Sequence, residues 1–449
     1  MMDRMKPTKG IAVVIVCFLL LCSLMVHAQY QLDQIKKYTE LVAPAKKDSL
    51  QNNLTNKVGN NVHYLYPIYQ AIAWEKRFKR LLGDVAYNDY FSQFLSMAGD
   101  YQSASNYAQK KYAPLSNNQK RDIKNYVDEL VGLQSINAKS FIVGSSINSQ
   151  VLMINEMYHQ PQHRAFVYSL LKDLYANGFK YLAMETLANK SGKVIDEVNI
   201  FTGEYTSEPV NAELIRHAID IGFTMVAYDD TAAAKHTPNV RDSIQAVNLY
   251  QVIKKDSTAR MIVLTGFGRN SNEALVPGHI PTAMVFKKLS NITPLTVDQV
   301  ALSEGSYFES GAAFYDLFTK KFVITEPSVM LLDKKPANLL SSPGITISVV
   351  HPPTVFVNNR PTWLSLEGDR KETPIQPTEK GLFFVQAYYH NEYHADILGQ
   401  LIPADQTYIA ANNGYYSLYL KPGKYKLVLR DINYRTLSVK DITVEKESQ

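Results

Sequence analysis

Hydrophobic and polar positions follow four successive patterns along the chain. Met1 to Lys9 carries Arg4, Lys6 and Lys9, and Ile11 to Val26 is a mostly apolar run closed by Val26-His27-Ala28. This is the three-part layout of a cleaved secretory leader over residues 1–28, and the run is short for a spanning helix. It predicts an exported chain, periplasmic or secreted. Residues 29–145 read as a helical region, with apolar residues at helical spacing from Ile68 to Leu82. Gly99-Asp100-Tyr101 followed by Ala104, Tyr107 and Ala108 looks like the second helix of a tetratricopeptide-type hairpin. One such unit predicts a cap on the next domain, since repeat folds need about three units to be stable.

Over residues 146–325 the pattern becomes short apolar runs alternating with helical stretches. The runs are Val151 to Ile154, Tyr181 to Met184, Thr224 to Tyr228 and Met261 to Thr265. Between them, Pro161 to Ala176, Pro209 to Ile221 and Val240 to Lys254 have helical period, two of them stopped at Asn177-Gly178 and Gly222. Fully apolar strands alternating with helices predict an α/β fold, a parallel sheet flanked by helices. In residues 326–449 short strands are punctuated by Pro352-Pro353, Pro361 and Pro422-Gly423, which predicts an antiparallel, β-sandwich-like domain. The strands there are Ile345 to Val350, Phe383 to Tyr389, Tyr415 to Leu420, Tyr425 to Arg430 and Leu437 to Val444.

Composition narrows the function classes. With 449 residues, 46% hydrophobic and 20% charged, the chain is neither disordered nor collagenous. Basic residues exceed acidic ones by 47 to 42, a small and dispersed surplus that argues against a nucleic-acid partner. Cys17 and Cys22 both fall in the leader, so the mature chain has no disulfide, thiolate nucleophile or cysteine metal site. No later segment is apolar over a spanning length, which predicts no membrane span in the mature chain.

In an open α/β sheet, ligands bind beyond the carboxyl ends of the strands. The first run ends in Asn155-Glu156, the second in Glu185-Thr186, the third in Tyr228-Asp229-Asp230 and the fourth in Gly266-Phe267-Gly268-Arg269. Neighbouring strands lie about 4.8 Å apart, so these groups can converge on one crevice. The segment Glu156-Met157-Tyr158-His159-Gln160-Pro161-Gln162-His163-Arg164 is the densest cluster of reactive side chains. Pro161 suits a first helical turn, which puts His163 and Arg164 where the helix dipole disfavours cations by about 0.3–1 kcal/mol. Something negative should answer them: Glu156, Glu185 or a bound anion. Two imidazoles beside two carboxylates suit acid–base chemistry or a divalent metal held by mixed ligands. Arg241 opens the helix after the third strand, from which it could reach the same rim or lie on the surface. His390-Asn391-Glu392-Tyr393-His394 has the wrong order for a zinc-protease motif and follows a strand, and no G-x-S-x-G elbow occurs.

At these residues, from Gln150 to Glu304, the chain resembles the erythromycin-esterase-like group of the Tiki/ChaN haem-uptake superfamily. The resemblance is carried by Glu156 and the histidines after it, Arg164, Tyr181 to Glu185, Gly203 with Pro209, Tyr228-Asp229, Arg241 and Met261 to Gly268. The group has a histidine two or three residues beyond the Glu, and here Tyr158 stands at the nearer position and His159 at the farther; the chain departs at Asn155, where the group has Gly, and at Arg269, where the group has His. The resemblance implies hydrolysis, metal-dependent proteolysis or haem binding. As a hydrolase acting on a small-molecule or peptide substrate, Glu156 or His159 would activate water, Glu185 and His163 would orient that base, and Arg164 or Arg269 would steady the developing charge. Tyr158, Asp229, Arg241 and Arg269 would then contact substrate. As a binding protein, Tyr158, His159 and His163 offer ligands to haem or a metal, and the β domain would dock to a cell-surface partner. As a degenerate member, the chain would keep the fold and lose catalysis with the histidine replaced by Arg269.

Overall fold

The computed structural model describes residues 56–446 except 112–113, 190–193, 275–277, 305, 307–310, 341–342, 377 and 410–414. The leader expected over residues 1–28, with its two cysteines, lies outside them. Among the described residues no helix is long and apolar enough to cross a membrane.

The chain first lays down helices α1 (Tyr66–Ala73), α2 (Glu75–Met97), α3 (Tyr101–Ala108) and α4 (Asn117–Glu129), with α5 (Ala138–Ser146) following the first strand of the main sheet. The expected continuous helix from Ile68 to Leu82 breaks at Trp74, whose backbone leaves helical geometry. Helix α3 folds back on α2 as the hairpin pattern predicted, capped by Asp100, whose carboxylate accepts the Ser103 N–H at 3.1 Å.

A mixed sheet with helices on both faces forms the middle of the protein. Its strands are β1 (Gln134–Asn137), β2 (Val151–Glu156), β3 (Tyr181–Met184), β4 (Thr224–Ala227), β5 (Met261–Gly266), β6 (Leu295–Leu302), β7 (Ser328–Leu332), β8 (Lys335–Pro336) and β9 (Ile347–Val350). They lie in the order β8-β7-β9-β6-β2-β5-β3-β4, with β1 also on β7. From β9 to β4 all neighbours are parallel, while β7 runs against β9, β8 and β1. Strand Ile347–Val350, expected in the C-terminal domain, therefore belongs to this sheet, as do β1 and β7, and the sheet reaches beyond residues 146–325 on both sides.

Both faces of the sheet are covered, which is why β2, β3 and β5 each open with an unbroken apolar run. Leu152, Ile154, Leu182, Met184, Ile262 and Leu264 pack on α6 (Gln162–Ala176) and α7 (Pro209–Ile221). The alternate residues Val151, Met153, Ala183, Met261 and Val263 pack on α8 (Pro238–Lys255) and α9 (Thr282–Ser290). Pro209 at its first turn starts α7, and Gly222 ends it with φ +105°, a left-handed conformation a side chain would resist.

After α10 (Gly311–Phe322) and the last sheet strands, the C-terminal region is antiparallel. Strands β10 (Lys371–Ile375) and β13 (Tyr416–Leu420) pair, and β11 (Phe384–Tyr389), β12 (Asp405–Tyr408), β14 (Gly423–Arg430) and β15 (Thr436–Val444) form a second sheet in the order β12-β11-β14-β15. Val385, Ala387, Leu418, Leu420, Leu427 and Leu429 fill the space between them, the interior of the expected sandwich-like domain. Phe384 and Tyr408 point the other way, into the helical core.

Candidate functional site at the strand ends

The carboxyl ends of β2, β3, β4 and β5 do meet, but in two separate layers. The inner layer centres on Arg164 in the first turn of α6, with no exposed surface. Its Nε donates to Glu156 Oε2 at 2.7 Å and its Nη1 to Glu208 Oε2 at 3.1 Å. Glu208 also caps α7, accepting the Val210 and Asn211 N–H groups at 2.9 and 2.8 Å. The negative partner required by Arg164 at a helix N-terminus is thus Glu156, joined by Glu208. One guanidinium serves two buried carboxylates and cannot neutralise both. Burial, against the counter-pull of Arg164, raises the pKa of both Glu156 and Glu208.

The two histidines do not share a face. His163 is fully buried, and its Nδ1 accepts the Met157 N–H at 3.0 Å, which leaves the ring proton on Nε2. Its ring lies 5.3 Å from that of His351, a residue just past β9. Burial first, then the neighbouring His351, His159 and Arg164, hold His163 well below the usual imidazole range. Burial alone brings His351 down to about 3. His159 turns instead toward α2, with Nδ1 3.9 Å from Asp89 Oδ1.

The outer layer borders a cleft of about 590 Å³ lined by Tyr158, Glu185, Thr186, Asp229 and Asp230 from the strand ends and by Arg241 from the first turn of α8. Gly203, Glu204 and Tyr205, from the loop before α7, form the opposite wall. Glu185, 5% exposed, is bound on both oxygens. Its Oε1 meets Arg241 Nη2 at 2.9 Å and Arg269 Nε at 3.1 Å, while Oε2 accepts the Gly266 N–H at 2.6 Å and the Thr265 hydroxyl at 3.3 Å. Arg241 clamps Asp229 with Nε and Nη2 at 2.9 and 2.6 Å. Arg269 reaches back to Asp242 at 2.7 Å. Tyr158 stacks on Tyr205, centroids 4.2 Å apart and planes 12° apart.

Two glycines make this packing possible. A Cβ on Gly266 would sit 2.8 Å from Tyr158 Oη and 3.1 Å from Glu185 Oε2. A Cβ on Gly203 would sit 2.0 Å from the Thr186 carbonyl oxygen, so the two cleft walls touch through bare backbone.

Of the residues expected at the site, Tyr158, Glu185, Asp229 and Arg241 line the cleft, and Arg269 lies beside them on Glu185. Glu156, His159, His163 and Arg164 are not in its lining. Glu208, Tyr205, Glu204, Thr186 and Asp242 were not expected. Glu208 alone carried a legible signal, an acid directly before a helix-opening proline. Glu392 of the His390–His394 segment forms a two-pronged ion pair with Arg216 at 2.8 and 2.7 Å. Among the described residues no three His, Cys, Asp or Glu side chains converge as a metal site.

No family model and no curated protein matches the chain. Two solved structures align with part of it. RRSP, a MARTX toxin effector domain from Vibrio vulnificus CMCP6, is 12% identical with a TM-score of 0.27, over 49% of this chain and 46% of that one. A structure of bacterial protein toxins is 11% identical with a TM-score of 0.27, over 61% of this chain and 53% of that one. The chain thus spans about half the length of each.

Proposed function

We propose that the protein is an exported ligand-binding protein on a strand-end hydrolase scaffold, in which arginines neutralise the acids that would otherwise activate water. The supporting observation is the state of Glu185. A general base needs an oxygen lone pair within reach of a water proton. Both Glu185 oxygens are already taken, by Arg241 and Arg269 on one side and by the Gly266 N–H and Thr265 hydroxyl on the other. Arg269 stands where the resembled group has histidine, and a guanidinium cannot accept a proton at neutral pH. Glu156 is held by Arg164 outside the cleft lining. What is left is a crevice able to hold a small molecule, with the β domain free to dock the protein to a cell-surface partner.

The rival hydrolase reading predicts the opposite result in one experiment. Purified protein is offered a panel of small esters and peptides, beside its Glu185→Gln variant. Binding without chemistry predicts no turnover above the buffer rate. A turnover that Glu185→Gln lowers by about 10²–10⁴-fold, the usual contribution of a general base, would overturn the proposal. The haem reading is tested by haemin titration. Tyr158 lines the cleft without His159 or His163, so no Soret shift dependent on all three is expected.

A further inference from the structure

The cleft is unevenly charged, and the imbalance selects a class of ligand. Its lining holds four carboxylates, Glu185, Glu204, Asp229 and Asp230, against the cations Lys57 and Arg241. Arg241 is committed to Asp229 and Glu185 at 2.6–2.9 Å. Arg269, behind Glu185, is shared with Asp242 at 2.7 Å. An anion approaching either arginine would therefore have to compete with carboxylates already in place. The other two acids of the lining are less well answered. Glu204 is exposed, and among the described residues its carboxylate has no hydrogen bond or ion pair. Asp230 has His236 Nδ1 at 2.6 Å and the Ala232 N–H at 2.9 Å, but no permanent cation in contact.

Two further observations point to a ligand here. Thr186, 5% exposed, lines the cleft with a buried hydroxyl that has no hydrogen-bond partner. Buried polar groups in folded proteins are nearly always hydrogen-bonded, so this hydroxyl calls for a partner. Tyr158 and Tyr205 bring stacked rings to the same cleft, and Phe201 adds a 40% exposed ring to its lining. Aromatic faces attract organic cations through their quadrupole.

We propose that the cleft recognises an organic ammonium ion, a protonated amine on a compact ring or short chain. Its charge faces Glu204 and Asp230, its apolar part rests on the tyrosines and Phe201, and an N–H or hydroxyl reaches Thr186 Oγ1. This deepens the ligand-binding reading and rests on it.

The test compares three probes of one shape and different charge: benzylamine, benzyl alcohol and benzoate. Each is titrated into the purified protein by calorimetry and by saturation-transfer NMR. Benzylamine is expected to bind at least about tenfold more tightly than the other two, the effect of one charge-assisted contact, and to weaken as salt rises. Glu204→Lys, a change at an exposed position, should reverse the order in favour of benzoate, and Asp230→Asn should weaken benzylamine without reversing it. If benzoate or benzyl alcohol binds as well as benzylamine to the unchanged protein, the ammonium proposal falls while the binding reading stands. If none of the three binds, both fall.

Discussion

Helix α7 carries an ion cluster whose disruption should cost more than any change in the cleft. Glu213 has no exposed surface, and its carboxylate sits 3.0 Å from Arg370 Nη2, 2.6 Å from Lys421 Nζ and 2.8 Å from the Tyr389 hydroxyl. Arg370 is itself buried, and the contact with Glu213 has the distance of an ion pair but not the angle of a hydrogen bond. The guanidinium therefore depends on Glu213 for its charge more than for a directed bond. Glu213→Gln keeps the shape and removes the charge, which leaves Arg370 buried and uncompensated. Breaking a buried pair in this way costs about 3–5 kcal/mol. Lys421 softens the loss, because at 22% exposure it can turn to water. Denaturant unfolding followed by Trp363 fluorescence, in a Trp74→Phe background, would read the change. The pH dependence is a second readout. Burial pushes the Glu213 carboxyl up, but the surrounding cations, Arg370 first among them, together outweigh it and hold Glu213 well below its usual 4.5. Its contribution is therefore whole above about pH 4.5 and is lost as pH falls below that, so Glu213→Gln should flatten the acid limb only there. Glu213→Leu with Arg370→Met should recover much of the loss, since an apolar pair replaces a desolvated ionic one. A loss below about 1 kcal/mol for Glu213→Gln, the range of an exposed pair, would refute the claim that the cluster is desolvated.

Two other predictions concern stability around the site. His163 and His351 are neutral when folded and protonate near 6.5 when unfolded, so the unfolded state takes up more protons below pH 6.5. Stability should hold above that value and fall below it by up to about 1.4 kcal/mol per pH unit for each histidine, and His351→Gln should remove one proton from the slope of a urea-midpoint series. Gly203→Ala forces a Cβ against the Thr186 carbonyl and should destabilise by about 1–3 kcal/mol while weakening benzylamine; a variant with unchanged melting and binding would show that the two walls are not in contact.

What could be read from the residues is what local physics fixes. Strands β2, β3 and β5 are buried on both faces and announce themselves as apolar runs, and α7 is bounded by Pro209 and Gly222 where the sequence marks it. Strand β6 is equally buried but contains Asp298 and Gln299, which break the run. Their reasons for being inside are distant. Asp298 accepts from the Asn155 amide at 2.9 Å, and Gln299 donates to the Asn155 carbonyl at 2.8 Å, contacts made across more than a hundred residues. Strand β9 was legible as a strand but not as a member of this sheet, because periodicity says nothing about which neighbour a strand chooses. The same limit divides the site. Glu156 and Glu185 both end apolar strands, yet nothing in either run tells that the first meets Arg164 from the helix after it and the second meets Arg241 and Arg269 from elsewhere.

That division bears on what a permanent cation does in a cleft. An imidazole beside Glu185 could hand a proton back and forth near neutral pH, whereas Arg269 cannot, and it is held in place by Asp242 as well as by Glu185. Arg241 adds a second fixed cation on the same oxygen of Glu185 and ties it to Asp229. The floor of the cleft is consequently a lattice of alternating charge, carboxylate to guanidinium to carboxylate, in which moving any one member strands another. Such a lattice resists the shifts of charge that hydrolysis requires, since charge developing on water or substrate would have to be matched by groups already matched to one another. It holds the rim still instead. On the binding reading proposed above, Glu185 and Asp229 stay fixed in position and the remaining acids, Glu204 and Asp230, discriminate by charge without the floor rearranging, which is the property that a binding site needs and a general base does not have.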